Sequence, residues 1–283
     1  MTETTLLAEG WCSLPGFIGG ADLEKCRALV DEAFGRTATR CMDRRGNDLL
    51  PLRWNDPIIQ LLLESPSRLE QLRGVLGQDI RWISGYVTSK AASTPALWWH
   101  QDWWCWDHEV SFGRTPPQVA VLCYLDDTDE TNGALRVLPR SHRSRGPLHD
   151  SLSDPHSEEA DTLPLDHPAM TDAAGQVSLR LKAGDTVLLD YRLLHGTHPN
   201  TTSHRRDAVL LSFVPSWTTL SKDVCGHLIS HPALPTIEES EAARKCMGEL
   251  LPKFSGAPKD LCVNRSANPP KNTASGPLSE PLV

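Results

Sequence analysis

The run Trp98-Trp99-His100-Gln101-Asp102-Trp103-Trp104 sets an imidazole and a carboxylate two residues apart in a segment that reads as a β-strand. Alternate residues of a strand face the same way, so His100 and Asp102 point together. Such a pair can hold one face of a metal ion, and two histidines with one carboxylate and open positions form the ligand set of the non-haem Fe(II) oxygenases. A His-x-Asp/Glu triplet is not rare in itself: with 11 His and 36 Asp plus Glu among 283 residues, chance supplies roughly one. A second does occur at His156-Ser157-Glu158, but its stretch is acidic, proline-flanked and without strand periodicity, and it reads as solvated loop.

Outward from that run the periodicity is that of a β protein. Residues 81–90 are rich in β-formers, residues 119–126 form an apolar run typical of a buried strand, and residues 133–139 follow the turn Thr131-Asn132-Gly133. Residues 177–181, 186–190 and 208–214 supply three more strands. Helices come earlier. Residues 22–35 carry Leu23, Cys26, Val30 and Phe34 on one face with Gly35 as the stop, and residues 57–64 and 66–76 follow, the latter with Ser65 as N-cap and Pro66 in the first helical position. Residues 11–20 read as an extended lead-in, 36–55 as polar loop, 236–251 as helix, and 255–283 as irregular or frayed. Helices followed by many short strands predict a mainly β fold with flanking helices around a double-stranded β-helix, a jelly-roll, cupin-like core. The expected organisation is a single domain over 1–283: a helical N-terminal region over 1–79, a jelly-roll core at about 80–215, and a C-terminal helix with an irregular tail over 216–283.

Net charge −8 and a pI near 5.7 exclude the basic patch that nucleic acid or an anionic membrane would need, so the expected partner is a small molecule. The N-terminus lacks the basic segment and apolar core of a signal peptide, and no run approaches spanning length, which predicts a cytoplasmic protein. Eight cysteines without a Cys-x-x-Cys spacing fit reduced, packed thiols better than a zinc cage or a disulfide framework. Oligomeric state is left open by the sequence.

The segment 189–206 ends an apolar strand in His195 and opens the next strand through an arginine. A jelly roll brings distant strands side by side, so a histidine at this strand's end can complete a site begun by His100 and Asp102. His198 and His204 compete for that position, and Arg205 competes with Arg206, since alternation turns only one of the two inward.

Together, His100-Gln101-Asp102, then Thr131 to Leu135 with Val137-Leu138-Pro139-Arg140-Ser141-His142, then Gly184-Asp185-Thr186 leading to His195-Gly196-Thr197, Asn200 and Arg206, resemble the phytanoyl-CoA dioxygenase family of Fe(II)/2-oxoglutarate oxygenases over roughly residues 90–214. The resemblance implies iron held by His100, Asp102 and His195, and 2-oxoglutarate held through its distal carboxylate by the planar fork of Arg206. Thr197, Gln101 and Leu122 are further candidate cosubstrate contacts. Two departures stand out: relatives commonly carry a longer aromatic at the position of Leu122, and Pro139-Arg140-Ser141 replaces a more usual Pro-Gly-Ser. A carboxylate at Asp102, where related halogenases have a small residue, implies oxidation rather than halogenation.

Five tryptophans crowd the motif. Trp98 and Trp104 share the parity of the ligands and are candidates for the substrate pocket, with Trp99 and Trp103 outside; barrel core is the competing reading. Flat apolar walls suit a bulky polycyclic or aromatic substrate, or a cation over a ring face. Lys90 is a candidate for an anionic group, against a solvated surface lysine, and residues 142–175 for a lid, against a passive surface loop. The reading is a mononuclear iron enzyme that consumes 2-oxoglutarate and O2, releases succinate and CO2, and oxidises a C–H bond of a small molecule, expected to be a specialised metabolite rather than a fatty acyl-CoA. Two rivals remain: a metal-dependent cupin-type enzyme that does not use 2-oxoglutarate, and a non-catalytic binding jelly roll.

Overall fold

Strand β6 (Val119–Tyr124) is buried along its whole length because its two faces enter different cores. Val119, Val121 and Cys123 pack with the helices, whereas Ala120, Leu122 and Tyr124 face the interior between two sheets. The computed structural model describes residues 2–36, 42–155 and 157–270. In it β6 sits near the middle of a seven-stranded sheet containing β1 (Trp11–Leu14), β2 (Met42–Asp43), β3 (Asn47–Leu52), β4 (Arg81–Lys90), β9 (Thr186–Asp190) and β11 (Arg206–Val214), in the order β1-β9-β6-β11-β4-β3-β2. A second sheet of four short strands, β5 (Leu97–His100), β7 (Leu135–Val137), β8 (Val177–Ser178) and β10 (His195–Thr197), runs β5-β10-β7-β8. Every pairing is antiparallel. This is the jelly-roll core that the strand pattern predicts.

Helices cover the outer face of the large sheet. α1 (Thr2–Glu9), α2 (Gly20–Arg36), α3 (Pro57–Leu63), α4 (Pro66–Leu76) and α7 (Ser240–Met247) surround a core in which Cys26, Ile58, Leu72 and Ala243 meet Val121, Val209 and Phe213. The Ser65 cap read from sequence is formed, its hydroxyl accepting from Arg68 N, and the Asp56 side chain caps α3 by accepting from Ile58 N. α5 (Glu158–Asp161) lies in the long loop and α6 (Lys222–Leu228) follows β11.

A β-bulge in the β4–β11 pairing sets which side chains look inward. Phe213 pairs with Trp82 but Ser212 with Ser84, so Ile83 is an extra residue and parity reverses there. Beyond it, Ser84, Tyr86 and Thr88 face the interior, opposite Ser212, Leu210 and Ala208 of β11.

Three expectations need correction. Residues 36–55 are not simply loop: β2 and β3 form a hairpin that extends the large sheet, with Leu50 and Leu52 in the helical core and Asn47 and Leu49 inward. Polar Asn47 and Asp48 hid the strand, as did Pro51, which faces Tyr86 in the β3–β4 pairing. The N-terminal region is therefore helices plus three strands. The tail after residue 255 is irregular but anchored: Asn264 N donates to Trp104 O and Asn264 O accepts from Trp106 N. Lastly, the strand that begins at Leu97 stops at His100. Of the described cysteines, Cys12, Cys26, Cys105, Cys123 and Cys225 are buried and all are free thiols.

Arg140 has φ 69°, the left-handed region where glycine carries no steric cost. Its guanidinium meets Glu9 in a bidentate pair, Nε to Oε1 3.0 Å and Nη2 to Oε1 2.7 Å, exposed on the arginine side. Exposed pairs contribute little. Arg140→Gly is therefore expected to hold or raise the melting temperature by a few degrees; a clear fall would show that the Glu9 pair outweighs the backbone strain.

Candidate active site

His100 and His195 are direct partners in the β5–β10 pairing, so their side chains leave the sheet on the same face with ring centroids 4.2 Å apart. Gly196 permits the approach: a Cβ there would lie 2.8 Å from Leu97 O and 3.0 Å from Trp98 O. Each ring is oriented by its own backbone. His100 Nδ1 donates to Trp98 O at 2.9 Å and His195 Nδ1 to Leu193 O at 3.0 Å, which leaves both Nε2 atoms as lone-pair acceptors.

Asp102 arrives by a different route from the strand alternation expected. The chain past His100 is zipped to the β9–β10 connection: Asp102 N and Trp103 N both donate to Tyr191 O, at 3.0 and 2.8 Å. A buried ion pair, Asp190 with Arg192 at 2.7 Å, holds that connection, and Arg192 also donates to Ser111 O and Gly113 O. As a result Asp102 Oδ1 lies 3.8 Å from His100 Nε2 and Oδ2 lies 3.6 Å from His195 Nε2. The three groups offer ligand atoms all within 4.8 Å of one another. Burial and the neighbouring His195 push the His100 pKa down to about 3, so the imidazole is neutral and its lone pair available. Two imidazoles with their Nε2 atoms facing a carboxylate fit a divalent metal such as ferrous iron.

The triad lies on a cavity of about 730 Å³ between the sheets, which Trp98, Trp104, Leu122, Thr197 and Arg206 also line. Arg206 is 3% exposed; its Nη2 donates to Gly133 O at 3.0 Å and it sits 5.3 Å over the Tyr124 ring, but no described carboxylate pairs with it and its Nε has no partner. The Thr197 hydroxyl is likewise buried and unpartnered. Unsatisfied donors beside a metal site call for a bound acceptor, and a carboxylate meets that need. Arg205 turns outward to Asp31 and Asp207. His198 bonds Ser178 and His204 is exposed, so neither joins the triad.

Two candidates are placed elsewhere. Gln101 does not line the cavity: its amide donates to Arg192 O, because the zipped segment turns alternate side chains to the other side. Lys90 is neither surface nor cavity wall. It is 0% exposed, its Nζ donates to Pro95 O at 2.7 Å, and its stem packs on Gly133, where a Cβ would come within 2.3 Å. Lys90 pairs across the sheet with Arg206, and burial, then Arg206 and Arg136, push its pKa down to about 7.

Trp104 lines the cavity with Nε1 on Gln118, and Trp98 lines it too, whereas Trp99 and Trp103 point out to Thr171 O and Ser111. The long loop packs Ala160, Leu163, Ala169 and Met170 on Trp98, and Arg136 ties it down through Met170 O and Thr171 O. Of the second triplet, His156 lies outside the described residues and Glu158 is exposed. Residues with no motif to mark them complete the wall: Tyr86, Tyr191, His227 and His231, and from the tail Asp260, Val263 and Arg265. The inward parity of residues 84–88 was a usable signal for Tyr86. Nothing local marked the tail.

A family model described as phytanoyl-CoA dioxygenase (PhyH) matches residues 23–208. L-proline trans-4-hydroxylase of Streptomyces griseoviridis is 24% identical over 72% of this chain and 82% of its own. A probable alpha-ketoglutarate-dependent hypophosphite dioxygenase of Stutzerimonas stutzeri is 28% identical over 62% of this chain and 59% of its own. The chain thus spans most of one relative and little more than half of the other. Among solved structures, HygX from Streptomyces hygroscopicus with nickel, 2-oxoglutarate and hygromycin B bound superposes with TM-score 0.58 at 19% identity, covering 76% of this chain and 87% of that one. The epimerase SnoN with Fe3+, alpha ketoglutarate and nogalamycin RO gives TM-score 0.58 at 17% identity, covering 77% and 83%. These likenesses are of fold.

Gly196→Ala is expected to separate β5 from β10, costing about 1–3 kcal/mol and weakening divalent-metal binding in a titration; unchanged metal affinity would contradict the close approach. Because folded Lys90 gives up its proton near 7 and a free lysine near 10.5, the unfolded chain binds more protons between those values, and stability rises with pH there. Lys90→Met is expected to flatten that rise in melting temperature; an unaltered slope would show that Lys90 stays charged.

Proposed function

Since the chain belongs to the phytanoyl-CoA dioxygenase family, a family of iron- and 2-oxoglutarate-dependent dioxygenases, we propose that it oxidises a C–H bond of a small organic molecule, by hydroxylation or a related outcome. The observation that carries this reading is the pairing of the His100, Asp102 and His195 cluster with a buried, carboxylate-free Arg206 on one cavity wall. His100, Asp102 and His195 would hold the metal, and Arg206 with the Thr197 hydroxyl would hold the distal carboxylate of 2-oxoglutarate, against Leu122. A ferrous ion bound there supplies, with O2, the oxidising power for C–H chemistry as 2-oxoglutarate is converted to succinate and CO2.

The chain's own residues do the remaining work. The backbone carbonyls of Trp98 and Leu193 accept from the two Nδ1 atoms and so aim the Nε2 atoms at the site. Tyr191 O holds Asp102 in place through two amides. Trp98, Trp104 and the tail wall exclude water from the reacting centre.

Support for a specialised metabolite as substrate comes from the wide apolar wall and from fold neighbours crystallised with hygromycin B and with nogalamycin RO. The protein is proposed to act in the cytoplasm; no described helix is long and apolar enough to cross a membrane.

A jelly roll using metal but not 2-oxoglutarate would have no use for Arg206. Arg206→Ala is expected to lower succinate release, measured over a substrate panel, by a hundred-fold or more while the iron content after anaerobic reconstitution stays at one per chain. Full activity in Arg206→Ala would remove 2-oxoglutarate from the reading, and absence of iron in the wild type would remove the enzyme.

A further inference from the structure

Two arginines besides Arg206 line the cavity, Arg44 from the β2–β3 turn and Arg265 from the tail. A guanidinium carries five N–H donors in a planar fork. Arg265 uses one, Nη1 to the Asp102 backbone carbonyl at 3.5 Å, at the outer limit of a hydrogen bond, and no described carboxylate lies within ion-pair distance of it. Most of its donors are therefore uncommitted at the cavity wall. Arg44 donates to Pro155 O at 3.1 Å and adds a second positive charge to the same wall.

The other charged groups of the wall are committed or out in solvent. Lys259 pairs with Asp223, Asp260 is fully exposed at the rim, and Asp102 belongs to the triad. A cationic substrate would need a free carboxylate or an open ring face. The inward-facing Trp104 instead stacks on His227 at 4.4 Å and 26°. A chain of net charge −8 thus presents guanidinium groups at the inner wall of the cavity that holds the triad. Concave walls of low dielectric focus such a potential.

We propose that the substrate is an organic anion, an apolar or aromatic body bearing a carboxylate that Arg265 binds, with Arg44 beside it, at the Asp102 side of the metal centre. The proposal rests on the dioxygenase reading above, which assigns Arg206 to the cosubstrate and leaves Arg265 to the substrate. It replaces the expectation of a cation held over a tryptophan. The planar fork suits a carboxylate, and each charge-assisted bond formed there gains from the surrounding burial.

The test uses iron-loaded, full-length enzyme saturated with 2-oxoglutarate under anaerobic conditions. Two matched triads are titrated by calorimetry and thermal shift: phenylacetate, phenylacetamide and phenethylamine, then hexanoate, hexanamide and hexylamine. A carboxylate is expected to bind at least ten-fold more tightly than its amide or amine, Arg265→Gln to lose ten-fold or more of that affinity, and Arg265→Lys to recover some of it. Carboxylates binding no better than the neutral and cationic analogues in both triads would overturn the proposal, as would an Arg265→Lys variant indistinguishable from Arg265→Gln together with a Gln variant that keeps the wild-type preference. Displacement of 2-oxoglutarate by the carboxylates would place the anion on Arg206 and overturn it as well. Failure of the dioxygenase reading registers separately, as absence of saturable stabilisation of the wild type by 2-oxoglutarate before any probe is added.

Discussion

Two imidazoles directly opposed in one antiparallel register are the constraint around which the rest is arranged. His100 and His195 pair across β5 and β10, and each ring is oriented by donating its Nδ1 hydrogen to a backbone carbonyl two residues earlier. Two imidazole nitrogens and a carboxylate facing one another suit a cation held between them. The strands must also come close enough, which Gly196 allows and any Cβ obstructs. Ser141 Oγ accepts from Leu194 N at 2.8 Å and the Asp190–Arg192 pair braces the preceding turn, so the register is held from both sides.

The large sheet supplies the complementary half. Its β11 presents Arg206 inward, and Lys90, directly opposite on β4, would be a like-charged neighbour were it protonated. A pKa near 7 relieves that conflict and leaves the guanidinium as the dominant local charge. The cavity then divides by chemistry: one guanidinium on β11 beside Thr197, another on the tail beside Asp102, and aromatic walls between. Burial of charged groups is costly, and sites that tolerate it are those where a ligand completes the pairing.

Much of this was legible because the periodicities involved are local. The apolar run of β6 reads as buried on both faces and is, since alternate residues enter separate cores. Ser65 caps the helix that it announces, and strand alternation turns Arg206 inward and Arg205 outward. The unusual Arg140 marks a left-handed backbone position. The misreadings share one cause, a long-range hydrogen bond overriding a local pattern. The motif strand ends at His100 because Tyr191 O captures the next amides, and that capture turns Gln101 away. β3 forms despite Asn47, Asp48 and Pro51 because β4 offers a complete ladder.

What the sequence determined alone was the inventory and its spacing: a His-x-Asp run, a histidine at the end of an apolar strand eleven residues before an inward arginine, and enough alternating strands to form a jelly roll. These follow from side-chain chemistry and from periods of two and 3.6, which need no partner to be read. Only the tertiary structure decided that Asp102 meets His195, that Lys90 is buried against Arg206, and that a tail without pattern contributes Arg265 to the wall. Those outcomes depend on contacts between residues far apart in the chain, whose energies no local window contains.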